Sequence, residues 1–306
     1  MPDDIAPDVT TPVIRPIAGR IGAEVTGVSF AADLPDPVFA AIHAALLRHK
    51  VLFVRGQHDL DDAAQQCLGR RFGELVEHPT QPSRSGTSIL ELDTARGGGR
   101  ADRWHTDVTF VDAYPAITML RSVVAPERGG DTVWANTEAA YADLPEPLQA
   151  LAERLRAVHS NLYDYASERP RASEADRRAY EEVFTSTVHE TEHPVVHVHP
   201  ETGVRSLILG QFIRRFVGLS REQSDLLFQL LQSHATRIEY TVRWRWQPGD
   251  LALWDNRATQ HIAVNDYGDQ RRVVRRVTVA GVAPVGVDGR RSVTLRTAPK
   301  LAAAAE

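Results

Sequence analysis

Apolar residues recur along this chain in two rhythms. Val38, Ile42 and Leu46 fall four apart, which predicts a helix over 37–49 with one buried stripe. Val51-Leu52-Phe53-Val54 follows at once as a short unbroken apolar run, the pattern of a strand buried on both faces. A second helix is predicted over 61–71. A third is predicted over 144–156, with Pro145 near its start, where a missing N–H is tolerated. Ser220-Arg221-Glu222-Gln223 is a capping-box signature ahead of Leu226, Leu227, Leu230 and Leu231, and marks a fourth. The other rhythm is β-type. Short strands are expected over 13–30 and over 240–246, and Pro248-Gly249-Asp250 turns the chain into another at 251–254. Many strands, few helices and long connections together indicate an α+β domain, a jelly-roll core with helices packed outside it.

Domain limits follow from where the rhythms stop. Residues 1–12 are polar and Pro-containing, an expected disordered segment. One domain is expected over 13–287, and 288–306, with its Ala-rich end, reads as a C-terminal tail. The stretch 163–193 is charged and lacks continuous periodicity. It reads either as a solvated excursion or as a lid over the barrel mouth.

Composition narrows the classes. A chain of 306 residues with 42% hydrophobic content can bury one large core. No apolar run approaches the roughly 18 residues of a membrane-spanning helix, so no membrane partner is expected. Lys and Arg total 35 against 40 Asp and Glu, a net charge of −5 with no basic block, which argues against nucleic acid. Cys67 is the single cysteine, so no intrachain disulfide forms. That usage and the lack of a secretory signal at Met1-Pro2-Asp3-Asp4 point to a cytoplasmic enzyme.

The candidate chemistry begins at Trp104-His105-Thr106-Asp107-Val108-Thr109-Phe110. Its composition predicts a strand, on which His105 and Asp107 project from one face. A His-x-Asp pair alone equally describes two hydrogen-bonded surface groups. Downstream, Trp254-Asp255-Asn256-Arg257-Ala258-Thr259-Gln260-His261 sets a second histidine beside a strand-like segment. Two histidines and one carboxylate with positions left open are the ligand set of a non-haem Fe(II) oxygenase. Arg272 and Arg276 then lie four apart in a β-type run, sharing one face, and could hold two oxyanions. The other reading is an exposed basic strand edge, which suits Arg271 and Arg275 on the opposite face.

The ordered set resembles the Fe(II)/2-oxoglutarate dioxygenases of the taurine dioxygenase family, and within it most of all the alkylsulfatase branch. The resemblance rests on Gly19-Arg20-Ile21-Gly22-Ala23-Glu24-Val25, the 104–110 run, Gly129-Gly130-Asp131-Thr132, the 254–261 run and the 270–276 run. It implies a double-stranded β-helix core, a lid over 163–193, a homodimer or homotetramer, and Fe(II) held by His105, Asp107 and His261. It implies 2-oxoglutarate as cosubstrate, its far carboxylate at Arg272 with help from Thr132, and O2 as oxidant, giving succinate and CO2. Asn256 and Trp254 would support the His261 strand, although Asn256 also suits a plain turn.

For the substrate, the resemblance places a sulfonate or sulfate at Arg276 and His78. Val108, Phe110, Phe184 and Phe212 are candidates for an apolar path beside it. Taurine dioxygenases carry an Asn four residues before the first iron histidine, facing the substrate amine; here that residue is Ala101. An amine would be left poorly paired there, which favours an alkyl sulfate ester over an aminosulfonate. Oxidation at the carbon bearing the sulfate oxygen would then release an aldehyde and free sulfate. Taurine or another alkanesulfonate, and an aryloxyalkanoate, remain rival small anions. A non-catalytic metal-binding module is the rival of a different class. His193, His197 and His199 are assigned to structure or surface.

Overall fold

The computed structural model describes residues 11–81, 83–84, 86–96, 101–162 and 186–299. Its largest sheet has eight strands. The path runs Val13–Pro16, Ala23–Thr26, Val51–Val54, Leu251–Asp255, Ile117–Val124 and Val273–Val279. Leu75–Val76 and Leu90–Asp93 both pair with the last of these. Every pairing in it is antiparallel except Ala23–Thr26 with Val51–Val54.

Alternation along the central strands divides their side chains between two cores. Leu52, Val54, Met119, Leu251 and Leu253 pack under the helices Asp36–His49 and Asp62–Phe72, through Val38, Ile42, Leu46 and Leu68. Val51, Phe53, Leu120, Ala252, Trp254 and Val274 point the other way, onto Trp134, Val242 and Trp244. Those three belong to a second sheet, Thr241–Trp244, Thr132–Asn136 and Thr259–Ala263. Two sheets thus face each other through an aromatic layer in which Phe53 stacks on Trp244 at 4.3 Å and meets Trp134 edge-on at 5.2 Å. A third sheet holds Ile213–Phe216, Arg156–Ser160, Thr187–Pro194 and Val293–Pro299, and a fourth Arg205–Leu207, Val196–Val198 and Val285–Gly286.

The helices begin where local chemistry predicts. Asp61 caps the helix Asp62–Phe72 by accepting from the Ala64 N–H, and Ser220 and Gln223 close a full capping box on Arg221–Ala235. Pro145 directly precedes Glu146–Arg154. No helix among the described residues is long and apolar enough to cross a membrane.

Three expectations are corrected. The 104–110 run is not a strand: only His105 bridges to a neighbour, and 107–110 is a turn. Val108 takes φ +60°, a left-handed conformation that its β-branched composition gave no reason to expect. Second, the 187–193 part of the expected lid is the strand Thr187–Pro194. Its charge misled because Glu190 and Glu192 pair with Arg214 and Arg156, while Thr191 and His193, which alternate with them, are buried. Residues 163–185, Phe184 among them, lie outside the described residues, as do 1–10. Third, the expected tail from 288 contains the strand Val293–Pro299, which pairs with Thr187–Pro194. It is mostly exposed, and Thr294, Arg296 and Thr297 interrupt its apolar residues, so it lacks the continuous apolar signal of a core strand.

Phe53 offers a test of the aromatic layer. Phe53→Ala should lower unfolding free energy by about 3–5 kcal/mol in denaturant titration, as expected for a buried aromatic removed from a close-packed core. A loss under about 1 kcal/mol would mean that the two sheets do not depend on this layer.

Candidate metal and cosubstrate site

His105 and His261 face each other across an isolated antiparallel bridge. His105 N–H donates to the His261 carbonyl at 3.0 Å, and His261 N–H to the His105 carbonyl at 2.8 Å. This exchange brings the imidazoles side by side, with ring centroids 4.1 Å apart. Asp107 enters from the turn that follows. Its Oδ1 lies 3.8 Å from His105 Nε2 and 3.9 Å from His261 Nε2. The three donor atoms lie within 4.8 Å of one another, and all three residues are buried. Two imidazole nitrogens and a carboxylate oxygen so gathered fit a divalent transition metal bound on one face, with the other face open.

The protonation states suit that role. Burial pushes both imidazoles towards the neutral, metal-binding form, His261 down to about 3, and the Asp107 carboxylate opposes this only in part. Burial alone would raise Asp107. Arg276, His261, His105 and the Thr118 hydroxyl outweigh it and hold the carboxyl well below the usual range. Arg276 Nη1 donates to Asp107 Oδ1 and Thr118 Oγ1 to Oδ2, each at 3.0 Å. His105 Nδ1 faces the Arg103 carbonyl at 2.8 Å, which leaves Nε2 turned to the site.

A cavity runs from His105 and His261 to Arg272, with Thr132, Tyr267 and Arg276 also in its wall. Arg272 lies one residue before the strand Val273–Val279, and Arg272, Val274 and Arg276 all reach this cavity. Burial lowers the Arg272 pKa, and among the described residues no carboxylate pairs with it and its Nε has no hydrogen-bond partner. A buried cation in that condition calls for an anion. Thr132 stands at the same wall. Gly129 and Gly130 before it both take left-handed φ, and a Cβ on Gly129 would meet Asp266 Oδ1 at 2.5 Å. Arg271 and Arg275, on the opposite face, pair with Asp93 and with Glu91 and Asp62.

The model of the taurine catabolism dioxygenase TauD, TfdA family matches residues 13–278. The chain belongs to this family. As a TauD/TfdA protein it is 60% identical over 284 residues to the alpha-ketoglutarate-dependent sulfate ester dioxygenase of Pseudomonas putida, covering 92% of this chain and 94% of that one. It is 54% identical over 288 residues to the alkylsulfatase of Acinetobacter baylyi, covering 94% and 90%. Among solved structures, a taurine dioxygenase from Burkholderia xenovorans superposes with a TM-score of 0.79 at 37% identity, covering 94% of this chain and 95% of that one.

The other candidates fall around the same centre. His78 is half-buried, and its ring meets Phe110 at 6.2 Å. Burial and the nearby Arg276 push its pKa down to about 3, so it is neutral at ordinary pH. Its Nδ1 accepts from the Thr80 N–H at 3.3 Å, which puts its proton on Nε2 as a donor. Val108 packs with Phe110 and Phe212, and the Phe212 ring lies 6.2 Å from that of His105. Ala101 lines the cavity and brings no polar side-chain atom to it.

Several supporting residues had no decisive sequence signal. Asn256, weighed as a turn residue, clamps Asp107 from both sides. Its Oδ1 accepts from Asp107 N–H at 2.9 Å, and its Nδ2 donates to the Asp107 carbonyl at 3.1 Å and to that of Pro115 at 2.9 Å. Trp246 Nε1 donates to Thr132 Oγ1 at 2.9 Å. Gly210 lies so close that a Cβ there would sit 3.0 Å from His105 Cα. Each joins residues far apart in the chain, so spacing could not reveal it.

Asn256→Ala should weaken metal binding by about 10–100-fold, as for other residues that orient a ligand from behind. Titration of the protein with Fe(II) under anaerobic conditions measures this. Unchanged affinity would mean that Asp107 is placed without the clamp.

Proposed function

We propose that this protein is an Fe(II)/2-oxoglutarate-dependent dioxygenase that cleaves alkyl sulfate esters to an aldehyde and inorganic sulfate. The observation that carries the reading is the division of labour between two arginines on one strand face. Arg272 is buried without a carboxylate among the described residues, whereas Arg276 lies against Asp107. One suits the far carboxylate of a cosubstrate, and the other a substrate anion next to the reacting centre. The likeness to a sulfate ester dioxygenase and an alkylsulfatase over nearly the whole chain supports a sulfate ester as that anion. Ala101 supports the same choice, because its own side chain offers no partner for the amine of taurine. The jelly-roll form of the double-stranded β-helix is consistent with the two facing sheets and their outer helices.

His105, Asp107 and His261 would hold the iron, which supplies oxidation of an unactivated C–H bond driven by oxidative decarboxylation of 2-oxoglutarate to succinate and CO2. Arg272 binds and orients the cosubstrate through its distal carboxylate, with the Thr132 hydroxyl beside it. Arg276 supplies the formal positive charge for the sulfate, and His78 adds a neutral N–H donor. Val108, Phe110 and Phe212 offer an apolar wall that excludes water from the carbon to be oxidised. One oxygen atom of O2 enters succinate and the other enters the C–H bond next to the sulfate oxygen. The hydroxylated ester then breaks its C–O bond to sulfate, leaving the aldehyde and releasing a proton.

Product analysis with a series of alkyl sulfates should give sulfate, aldehyde and succinate in equal amounts, all dependent on O2. Faster turnover of taurine or an aryloxyacid, or release of sulfate without O2, would overturn the substrate assignment. Arg272→Ala should raise the requirement for 2-oxoglutarate by an amount on the order of 2–5 kcal/mol, since a buried carboxylate would lose its charged partner. If Arg276→Ala alone had that effect, the two roles would be exchanged. Arg276→Ala should instead abolish productive sulfate ester binding while slow decarboxylation of 2-oxoglutarate continues. His78→Ala should weaken ester binding less, as measured by the KM for the ester.

A further inference from the structure

The turn that carries Asp107 is held from two sides, and only one of them belongs to the metal site. On the first side stands Asn256. On the other stands the strand Thr187–Pro194, whose residues 189, 191 and 193 point along one face. The His189 ring lies 5.9 Å from that of Phe110. Thr191 Oγ1 donates to the Phe110 carbonyl at 2.8 Å. His193 Nε2 donates to the Thr109 carbonyl at 2.7 Å, and its Nδ1 accepts from Ser292 Oγ at 2.6 Å. His159, directly opposite Thr191 in the neighbouring strand, shares a hydrogen bond with Thr109 Oγ1 at 2.9 Å. His159, Thr191 and His193 are all fully buried.

Between the two sets of restraints lies Val108, at φ +60°. A β-branched residue stays in that conformation only where its surroundings over-determine it. Here the peptide before it is tied to Asn256, and the two carbonyls after it are tied to His193 and Thr191. The result is a Val108 side chain 4% exposed, packed on Phe110 and Phe212 beside the His105 ring.

We propose that His193 and Thr191, with His159 behind them, are positioning residues for the reaction: they hold the 108–110 turn so that the apolar wall keeps a fixed register to Asp107. The inference rests on the substrate reading above for its purpose, since the wall would set where the ester's C–H lies. It does not rest on that reading for the latch itself. Loss of the latch would let Val108 relax to negative φ. Cosubstrate would still be consumed, but less of that consumption would be coupled to ester oxidation.

The test uses the Fe(II)- and 2-oxoglutarate-loaded protein and three substitutions. His193→Leu removes the donor to Thr109. His193→Gln keeps an N–H able to reach the same carbonyl. Val108→Gly removes the strain, because glycine adopts positive φ freely. Hydrogen exchange over 105–112 should quicken in His193→Leu and remain near the parent rate in His193→Gln. The ratio of succinate to sulfate formed from an alkyl sulfate should rise roughly three- to tenfold in His193→Leu and stay within about twofold of the parent in His193→Gln. In a Val108→Gly background, His193→Leu should lose more than half of its effect on exchange, the non-additivity expected of residues acting through one turn. If His193→Leu lowers only the melting temperature, leaving exchange and the product ratio alone, or if its effects add to those of Val108→Gly, the latch is refuted. Should the parent protein release no sulfate from any alkyl sulfate, the substrate reading fails, and the exchange cycle still decides the latch.

Discussion

The two hydrogen bonds exchanged by the backbones of His105 and His261 are the constraint on which the site depends. The residues lie in different parts of the chain, and one begins a turn while the other sits in a paired strand. Their bridge fixes the distance between two imidazoles before any metal arrives. Asp107 completes the set two residues on, and the chain turns sharply straight after it at left-handed Val108. Conformational strain of this kind costs about 1–3 kcal/mol and is found where surrounding structure enforces it. Here buried hydrogen bonds from Asn256, Thr191 and His193 enforce it.

Electrostatics adds the second layer. The site gathers one carboxylate and two guanidiniums around two neutral imidazoles, in a region from which water is largely excluded. Arg276 spends part of its charge on Asp107, which keeps that carboxylate ionised as a ligand. Arg272 has no such outlet among the described residues. Surplus buried positive charge beside the metal ligands attracts small anions, and the distance along one strand keeps the two anion positions from merging.

The scaffold makes this affordable by dividing labour between faces. On the central strands, alternate residues send Leu52, Val54, Met119, Leu251 and Leu253 to the helices and Phe53, Leu120, Trp254 and Val274 to the facing sheet. The apolar side supplies the stability, and the aromatic layer supports the strained and charged groups at its edge.

Much of this was legible in the chain alone. The helix stripe at 38–46, the buried run at 51–54, the capping box at Ser220, and the shared face of Arg272 and Arg276 all follow from local sequence pattern. The ordered motifs were enough to name His105, Asp107, His261, Thr132, Arg272, His78, Val108 and Arg276 as candidates, and the structure gathers all of them around one centre. What composition misread was the local path. Thr, Val and Phe over 104–110 suggested a strand, and the charges of 187–193 suggested part of a lid. Tertiary contacts reversed both: buried donors from distant strands impose the turn, and Arg156 and Arg214 take up the charge of Glu192 and Glu190. The sequence by itself determined which chemistry was present and which faces would be buried. Only the tertiary structure decided which backbone groups meet, because those hydrogen bonds join positions 80 or more residues apart, as Phe110 to Thr191 and Asp107 to Asn256 do.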